Sequence, residues 1–433
     1  MSHQLEAGSC KREVRLGLVR KLLQGIAVTS LWMALVTASA PAVDWPQWRG
    51  RDRTGVIPAV DAPPSWPQGV SKGWSVEVGE GYSSPVAAAG KVFVHARHDP
   101  DEIVYAIDIA SGKTVWQERY AAPIAKNPYA KGMAKGPYST PLVAGGRVYT
   151  LGTSAILSAW NASTGALLWR KDFSPRVNTS KLFCGTAMSP IATANAIVVH
   201  VGDDTAGLAA AFDPASGKEL WTRDMQGPGY ASPVHVTFEG TPQLVTLTMA
   251  AVVGLSAQTG EVLWQFPFAD EWNENIVTPV PTASGVIVSG VRQGTRALDV
   301  KREGATWTVR ESWHAPEVTM YMSSPVLVKG VLYGHSSRRK GQFVALDPAS
   351  GKVRWATEGR NAPGATVLAA GEHLVYLTPE SELIVARVNP DKYEELRRYN
   401  VGSSPTHAYP IVMRDRILVR DATHVTQWTL DAK

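Results

Sequence analysis

Ala106-Ile-Asp108-Ile-Ala-Ser-Gly112-Lys-Thr-Val-Trp116 returns twice almost unchanged, as Ala211-Phe-Asp213-Pro-Ala-Ser-Gly217-Lys-Glu-Leu-Trp221 and Ala345-Leu-Asp347-Pro-Ala-Ser-Gly351-Lys-Val-Arg-Trp355. Two looser copies lie between them, Ala159-Trp-Asn161-Ala-Ser-Thr-Gly165-Ala-Leu-Leu-Trp169 and Leu255-Ser-Ala-Gln-Thr-Gly260-Glu-Val-Leu-Trp264. An apolar run ending in Asp or Asn, then Ser/Thr-Gly, then a second run is a hairpin signal: the carboxylate accepts turn N–H groups and Gly takes the positive φ. The Trp four residues after the Gly falls early in the second strand, where a large side chain packs between neighbouring sheets.

A second phrase precedes each hairpin: Tyr82-Ser-Ser-Pro85, Tyr138-Ser-Thr-Pro141, Ala187-Met-Ser-Pro190, Tyr230-Ala-Ser-Pro233, Ile276-Val-Thr-Pro279, Met322-Ser-Ser-Pro325 and Ala408-Tyr-Pro410. Each opens a short apolar strand, a turn and another β-rich run, and Pro is tolerated where a strand begins. The unit is therefore four short strands. Its aromatic position runs Trp116, Trp169, Trp221, Trp264, Trp313, Trp355 and Tyr399, at spacings of 53, 52, 43, 49, 42 and 44 residues. The last stretch, Tyr409–Leu430, holds only three strands, and Lys72-Gly-Trp74-Ser-Val-Glu-Val78 offers a fourth with its own Trp. The expectation is an all-β, eight-bladed propeller of four-stranded antiparallel blades, the last closed by an N-terminal strand; seven blades is the alternative. Heavy use of Gly (38), Pro (29) and Trp (15), with 44% hydrophobic residues, agrees with a large β core and argues against a helical bundle.

The formal charge of +5 is concentrated at the start: residues 1–42 hold Lys11, Arg12, Arg15, Arg20 and Lys21 against Glu6 and Glu13. This basic stretch, the apolar run Leu22–Val36 and Thr37-Ala-Ser-Ala-Pro-Ala42 read as a secretory signal peptide cleaved after Ala42, with Val19 a second candidate start. The domain reading is signal peptide 1–42, lead-in segment 43–71 and a single propeller 72–433. The expected location is periplasmic or secreted, not membrane-spanning, as a monomer. Cys10 precedes the apolar run and so is no lipoprotein cysteine; Cys184 is then the one remaining thiol, read as a small buried hydrophobe. A near-neutral remainder and only three consecutive basic residues, Arg338-Arg339-Lys340, argue against nucleic-acid binding.

The repeat Ala-x-Asp-x-x-Ser/Thr-Gly-x-x-x-Trp resembles the docking repeat of pyrroloquinoline-quinone-type (PQQ-like) β-propellers, a superfamily of quinoprotein alcohol dehydrogenases and the outer-membrane assembly factor BamB. Asp44-Trp45-Pro46-Gln47-Trp48-Arg49-Gly50-Arg51-Asp52-Arg53-Thr54-Gly55 is similar to the start of an exported, single-domain branch of it, apart from Arg51, where relatives carry Pro. For a dehydrogenase the resemblance implies PQQ on the axis, Ca²⁺ held by Glu and Asn, an Asp base, a Trp under the ring and often a disulfide of adjacent cysteines. This chain has no adjacent cysteines. The densest group of suitable donors is Asp270-Glu271-Trp272-Asn273-Glu274-Asn275, so Glu271, Trp272, Asn273 and Asn275 are the candidates for PQQ with Ca²⁺.

Other polar groups carry less. His95 and His98, and the isolated His314, His335 and His407, show no metal spacing, and Asp203-Asp204 reads as a turn. The loop bearing Lys126, Lys131 and Lys135 is a rim candidate because long loops on rigid scaffolds carry binding. The Ser, Thr and Tyr of the Pro phrases are expected to line the axis, with Tyr82, Tyr138 and Tyr230 on one binding rim. Trp74, Trp116, Trp169, Trp221, Trp264, Trp313 and Trp355 are expected to dock blades together. Three functions follow: a non-catalytic binding or scaffold protein with a protein or polymer partner at one face; a PQQ- and Ca²⁺-dependent dehydrogenase of alcohols or sugars; and a carbohydrate-associated propeller of a polymer-degrading system.

Overall fold

The computed structural model describes residues 44–130, 132–269 and 271–430; the leader, Cys10, Lys131 and Asp270 lie outside the described residues. Eight sheets follow one another around a ring. Seven are consecutive four-strand meanders at 86–121, 142–172, 191–225, 234–267, 280–315, 326–356 and 366–400. The eighth combines the strands Ile411–Val412, Arg416–Arg420 and His424–Thr429 with the N-terminal strand Ser71–Glu77. That strand pairs antiparallel with the last one, Ser71 opposite Thr429 and Glu77 opposite His424, so the two ends of the chain share one blade and the ring has no free seam.

The Asp-Ser-Gly-Trp repeat is a joint between blades. Within the turn, Asp213 accepts from the Ser216 N–H and hydroxyl, both at 2.7 Å. Those bonds hold the Asp213 carboxyl below its usual range. The Trp of one blade then lies against the turn Gly of the next: Trp74 on Gly112, Trp116 on Gly165, Trp169 on Gly217, Trp221 on Gly260 and Trp313 on Gly351. At Gly217 a β-carbon would sit 2.6 Å from the Trp169 ring and φ is +69°, so only glycine allows both the turn and the contact. The indole N–H donates to a carbonyl of the same neighbouring turn, Trp169 to Pro214 at 3.1 Å and Trp313 to Pro348 at 2.8 Å. Trp355 does so to Asn389 at 2.9 Å.

Trp264 departs from this pattern. The fifth blade has two ten-residue outer strands, Gly294–Glu303 and Thr306–Ala315. Its turn glycine, Gly304, has no ring against it. Trp264 instead donates to Gln243 of its own blade at 2.7 Å. In the seventh blade the aromatic position is Tyr399, whose hydroxyl donates to the Pro67 carbonyl at 2.6 Å while its ring stacks with Trp66. The Trp66 segment thus occupies the position that a neighbouring turn takes elsewhere.

Candidate functional site

The first strand of each blade lies nearest the axis, where successive first strands contact one another. The phrase leading into it has a repeated job. The Tyr409 N–H donates to Ser84 Oγ at 2.9 Å, Ser84 N–H to Thr140 Oγ1 at 3.2 Å, and Thr140 N–H to Ser189 Oγ at 3.0 Å. Ser189 N–H donates to Ser232 Oγ at 3.0 Å, Thr278 N–H to Ser324 Oγ at 3.0 Å, and Ser324 N–H to the Tyr409 hydroxyl at 3.2 Å. The phrase is therefore a belt: a buried amide, which needs a partner, finds it in a hydroxyl of another blade, the adjacent one in every case but Ser324, whose N–H reaches Tyr409 two blades on. These hydroxyls are at the axis, but they stitch blades rather than stand free for a ligand.

The lead-in segment enters the ring. Trp45 exchanges both backbone hydrogen bonds with Ala87 of the first blade, and Val143 of the second donates to the Pro46 carbonyl. Arg53 donates to the carbonyls of Ser189 and Pro190, Trp48 to Thr278 Oγ1 at 2.9 Å, and Arg49 to the Pro325 carbonyl. Val56–Ile57 pair in parallel with Ala369 and Ala370 of the seventh blade, and the Trp48 ring meets Tyr409 of the eighth edge to face at 4.8 Å. Residues 44–57 are thus an axial plug touching seven of the eight blades. Arg49 and Arg53 are buried with carbonyl oxygens as their partners; burial lowers both guanidinium pKa values, Arg53 to about 9. Residues 44–57 of the lead-in segment thus reach the centre of the ring.

Above the plug, on the face carrying the Pro phrases, the axis opens as a funnel of about 360 Å³. Its walls include Trp48, Tyr82, Tyr138, Tyr230, Tyr321, Phe183, Met133, Met322, Glu274 and His407. Tyr82 meets Tyr138 edge to face at 5.6 Å and His407 at 4.5 Å. Three of the tyrosine hydroxyls are engaged within the protein: Tyr138 donates to the Ala134 carbonyl, Tyr230 accepts from the Phe183 N–H at 2.9 Å, and Tyr321 donates to Glu274. Burial, then the nearby Cys184, raises the Tyr138 and Tyr230 phenols. Cys184 is a partly exposed member of the wall rather than a core residue, and burial pushes its thiol to about 12, with Glu274 adding to the shift.

The donor-rich segment does not converge. Glu271 pairs with Arg292 at 2.7 Å, Trp272 is half exposed with the Arg292 guanidinium 4.4 Å from its ring centre, and Asn273 sits at φ +58°. Asn275 is fully buried and donates to the carbonyls of Thr248 (2.8 Å), Met249 (3.3 Å) and Phe268 (2.7 Å), which makes it a loop clamp. Among the described residues of this segment, Glu274 is the one that lines the funnel. The Lys126 and Lys135 loop reaches the funnel through Met133, while those two lysines line a narrow crevice beside it. Arg338-Arg339-Lys340 form an exposed 3₁₀ turn, and Asp203 caps its turn by accepting from Thr205 and Asn178. Among the described residues no group of three or more His, Cys, Asp or Glu is placed to hold a metal ion. Trp48, Tyr321 and Glu274 were missed as funnel residues; Tyr321, one residue out of register with the other phrase tyrosines, was the nearest to a readable signal.

His95 belongs to a buried cluster away from the funnel. Glu102, fully buried, accepts from Tyr120 Oη at 2.6 Å and Thr153 N–H at 2.9 Å, with His95 Nε2 at 3.3 Å. Burial alone would raise its pKa, but the His95, Tyr120 and Thr153 contacts outweigh it and hold the carboxyl below its usual range. A depressed carboxyl pKa stabilises the fold above the unfolded-state value and loses that stabilisation as pH falls through the folded value. Glu102→Gln is therefore expected to cost about 1–3 kcal/mol at neutral pH, and the gap from wild type should narrow on acidification. Urea unfolding at about pH 7 and about pH 4 tests this; a gap of constant size would mean that Glu102 is not ionised in the folded protein.

These features define a PQQ-like eight-bladed propeller, plugged by its own N-terminal segment and open at one face as an aromatic funnel. The chain belongs to the family described as outer membrane protein assembly factor BamB, whose model matches residues 100–357 and 205–430. It is 29% identical over 288 residues to the BamB of Shewanella oneidensis, a match spanning 65% of this chain and 60% of that protein. With the BamB of Yersinia pestis it shares 22% identity over 374 residues, 81% and 86% of the two chains. Among solved structures, BamB from Moraxella catarrhalis superposes with a TM-score of 0.58 at 15% identity, covering 83% of this chain and 99% of that one. A quinohemoprotein alcohol dehydrogenase from Comamonas testosteroni superposes at 0.66 with 14% identity, covering 91% and 81%. Both likenesses are of fold. Among the described residues no helix is long and apolar enough to cross a membrane.

Proposed function

We propose that this chain is an exported, non-catalytic binding protein of the cell envelope that receives part of a protein or polymer partner in the axial funnel. The observation that carries the reading is the funnel's chemistry: aromatic and thioether walls, three tyrosine hydroxyls engaged by the protein, and among the described residues a single carboxylate with no Lys or Arg. Membership of a family described as an assembly factor, and the leader read in residues 1–42, support an envelope role.

The quinoprotein alternative fits these residues poorly. PQQ carries three carboxylates, which need cationic partners, and Ca²⁺ takes six to eight oxygen ligands. Among the described residues the funnel's lining holds one carboxylate, Glu274, and no Asn, Asp, Lys or Arg. A sugar ligand fits poorly as well, because the lining offers one carboxylate and, among the described residues, no Asn, Asp, Lys or Arg to hydrogen-bond ring hydroxyls. Titration of the mature protein, residues 43–433, with PQQ in the presence and absence of Ca²⁺ tests the reading through Trp fluorescence. No saturable quenching is expected at high micromolar cofactor; Ca²⁺-dependent quenching accompanied by dye-linked alcohol oxidation would overturn it.

A further inference from the structure

We propose that a crevice on the sixth blade, separate from the funnel, binds a phosphate-type oxyanion through Arg339, Lys340 and Arg360. These side chains come from two turns of that blade. Arg338–Lys340 lies between the strands Val331–Ser336 and Gln342–Leu346, and Arg360 follows the outer strand Val353–Ala356. The turns interlock through their backbones, the Arg360 N–H donating to the Arg339 carbonyl and the Asn361 N–H to the Gly341 carbonyl, both at 3.1 Å. Glycine permits so close an approach: a β-carbon on Gly359 would lie 2.6 Å from the Arg339 carbonyl oxygen, and one on Gly341 1.8 Å from that of Ala362.

Arg339, Lys340 and Arg360 line one crevice of about 370 Å³, in which Glu358 is the one carboxylate among the described residues. In the same two blades Lys329, Arg354 and Arg398 are paired with Glu372, Asp347 and Glu382, whereas among the described residues no Asp or Glu lies within ion-pair distance of these three. The backbone adds an independent observation. Ser337 is right-handed at φ −72°, and Arg339, Lys340 and Arg360 are left-handed at +51°, +63° and +63°. A right-handed stretch followed by a left-handed residue turns successive N–H groups toward one concave side, an arrangement that receives anions. Side chains with a β-carbon adopt such angles only where the surroundings enforce them, and here they bring three cations to one crevice. Two forked guanidiniums match the oxygens of a phosphate, and the ammonium adds a point charge. Arg338 is engaged elsewhere, donating to the Pro316 carbonyl at 3.4 Å. Glu380 and Glu382 line the adjoining cleft with Lys340 and Arg360, which puts the anion on the Arg339 side.

The oxyanion has two sources, free phosphate and the phosphate headgroup of a lipid. Calorimetric titration of residues 43–433 with inorganic phosphate at low ionic strength, and flotation with phosphatidylcholine vesicles with and without phosphatidic acid, separate them. Saturable binding is expected below about 10 mM phosphate, or capture by the vesicles that contain phosphatidic acid, and the tighter of the two identifies the source. Arg360→Gln and Lys340→Gln should each weaken that binding about tenfold. Arg310→Gln, on the exposed outer strand of the fifth blade, should leave it unchanged and so controls for diffuse surface charge. Binding that survives Arg360→Gln and Lys340→Gln, or that Arg310→Gln weakens equally, would overturn the site. Absence of binding to both phosphate and vesicles would overturn it as well. Thermal unfolding of the variants, expected to match wild type within a few degrees, shows that lost binding is not lost fold.

Discussion

A chain beginning at Pro58 is expected to lose stability more heavily than any single-residue variant of this protein. The deletion empties the axis of Trp45 and Trp48, and truncating a large aromatic side chain costs roughly 3–5 kcal/mol where it is fully packed. It also strips hydrogen bonds from Ala87, Val143, Thr278 and Ala369, each of which pairs with the plug. The two guanidiniums work in the other direction, because burying an ion carries a desolvation cost that disappears with it. Arg49→Met should therefore be much milder than the deletion. Scanning calorimetry of the deletion, of Arg49→Met and of the deletion supplemented with a synthetic peptide of residues 44–57 provides the check. A partial recovery of the transition by the peptide is expected, and an unaltered transition in the deletion would show that the plug contributes nothing to the ring.

Trp355→Ala is the second large effect, at about 3–5 kcal/mol, because the indole is buried between the sixth and seventh blades and also donates to Asn389. Trp221→Ala should fall at the low end of that range, since Trp221 is only partly buried. Trp264 supplies a contrast. Its indole N–H bonds within its own blade, so Trp264→Phe leaves the Gln243 amide oxygen short of a partner, whereas Trp355→Phe releases a carbonyl of the neighbouring blade. Chemical denaturation of the four variants orders them; a Trp355→Ala protein as stable as wild type would mean that the repeat's Trp is not what joins these sheets.

Much of the fold was legible because its signals are local. Asp108, Ser111, Gly112 and Trp116 lie within nine residues and specify a turn, a positive φ and the size of a side chain, all of which short-range chemistry dictates. Repetition then supplied the architecture, since a unit that cannot bury both faces alone must stack on its copies. The missing strand of the last blade, followed back to Trp74, led to closure by both chain ends. The fifth blade was harder to read because its lengthened outer hairpin displaces the Gly that seats a Trp elsewhere.

The site was legible only in fragments. Tyr82, Tyr138 and Tyr230 open their phrases and so could be named together, but nothing local told that the Tyr230 hydroxyl would accept from Phe183, 47 residues earlier in the chain. The density of donors at 271–275 carried no geometry: Glu271 pairs with Arg292 and Asn275 turns to three carbonyls, and of these residues Glu274 is the one in the cavity's lining. Sequence by itself determined the blade and its number, because these follow from contacts between residues a few positions apart and from their repetition, and it pointed to closure because the last unit lacks one strand. Only the tertiary structure decided that residues 44–57 fill the axis and that Trp48, Tyr321 and Glu274 share one funnel. Those contacts join residues in different parts of the ring, 230 positions apart for Trp48 and Thr278 and 47 for Glu274 and Tyr321, and no periodicity encodes them.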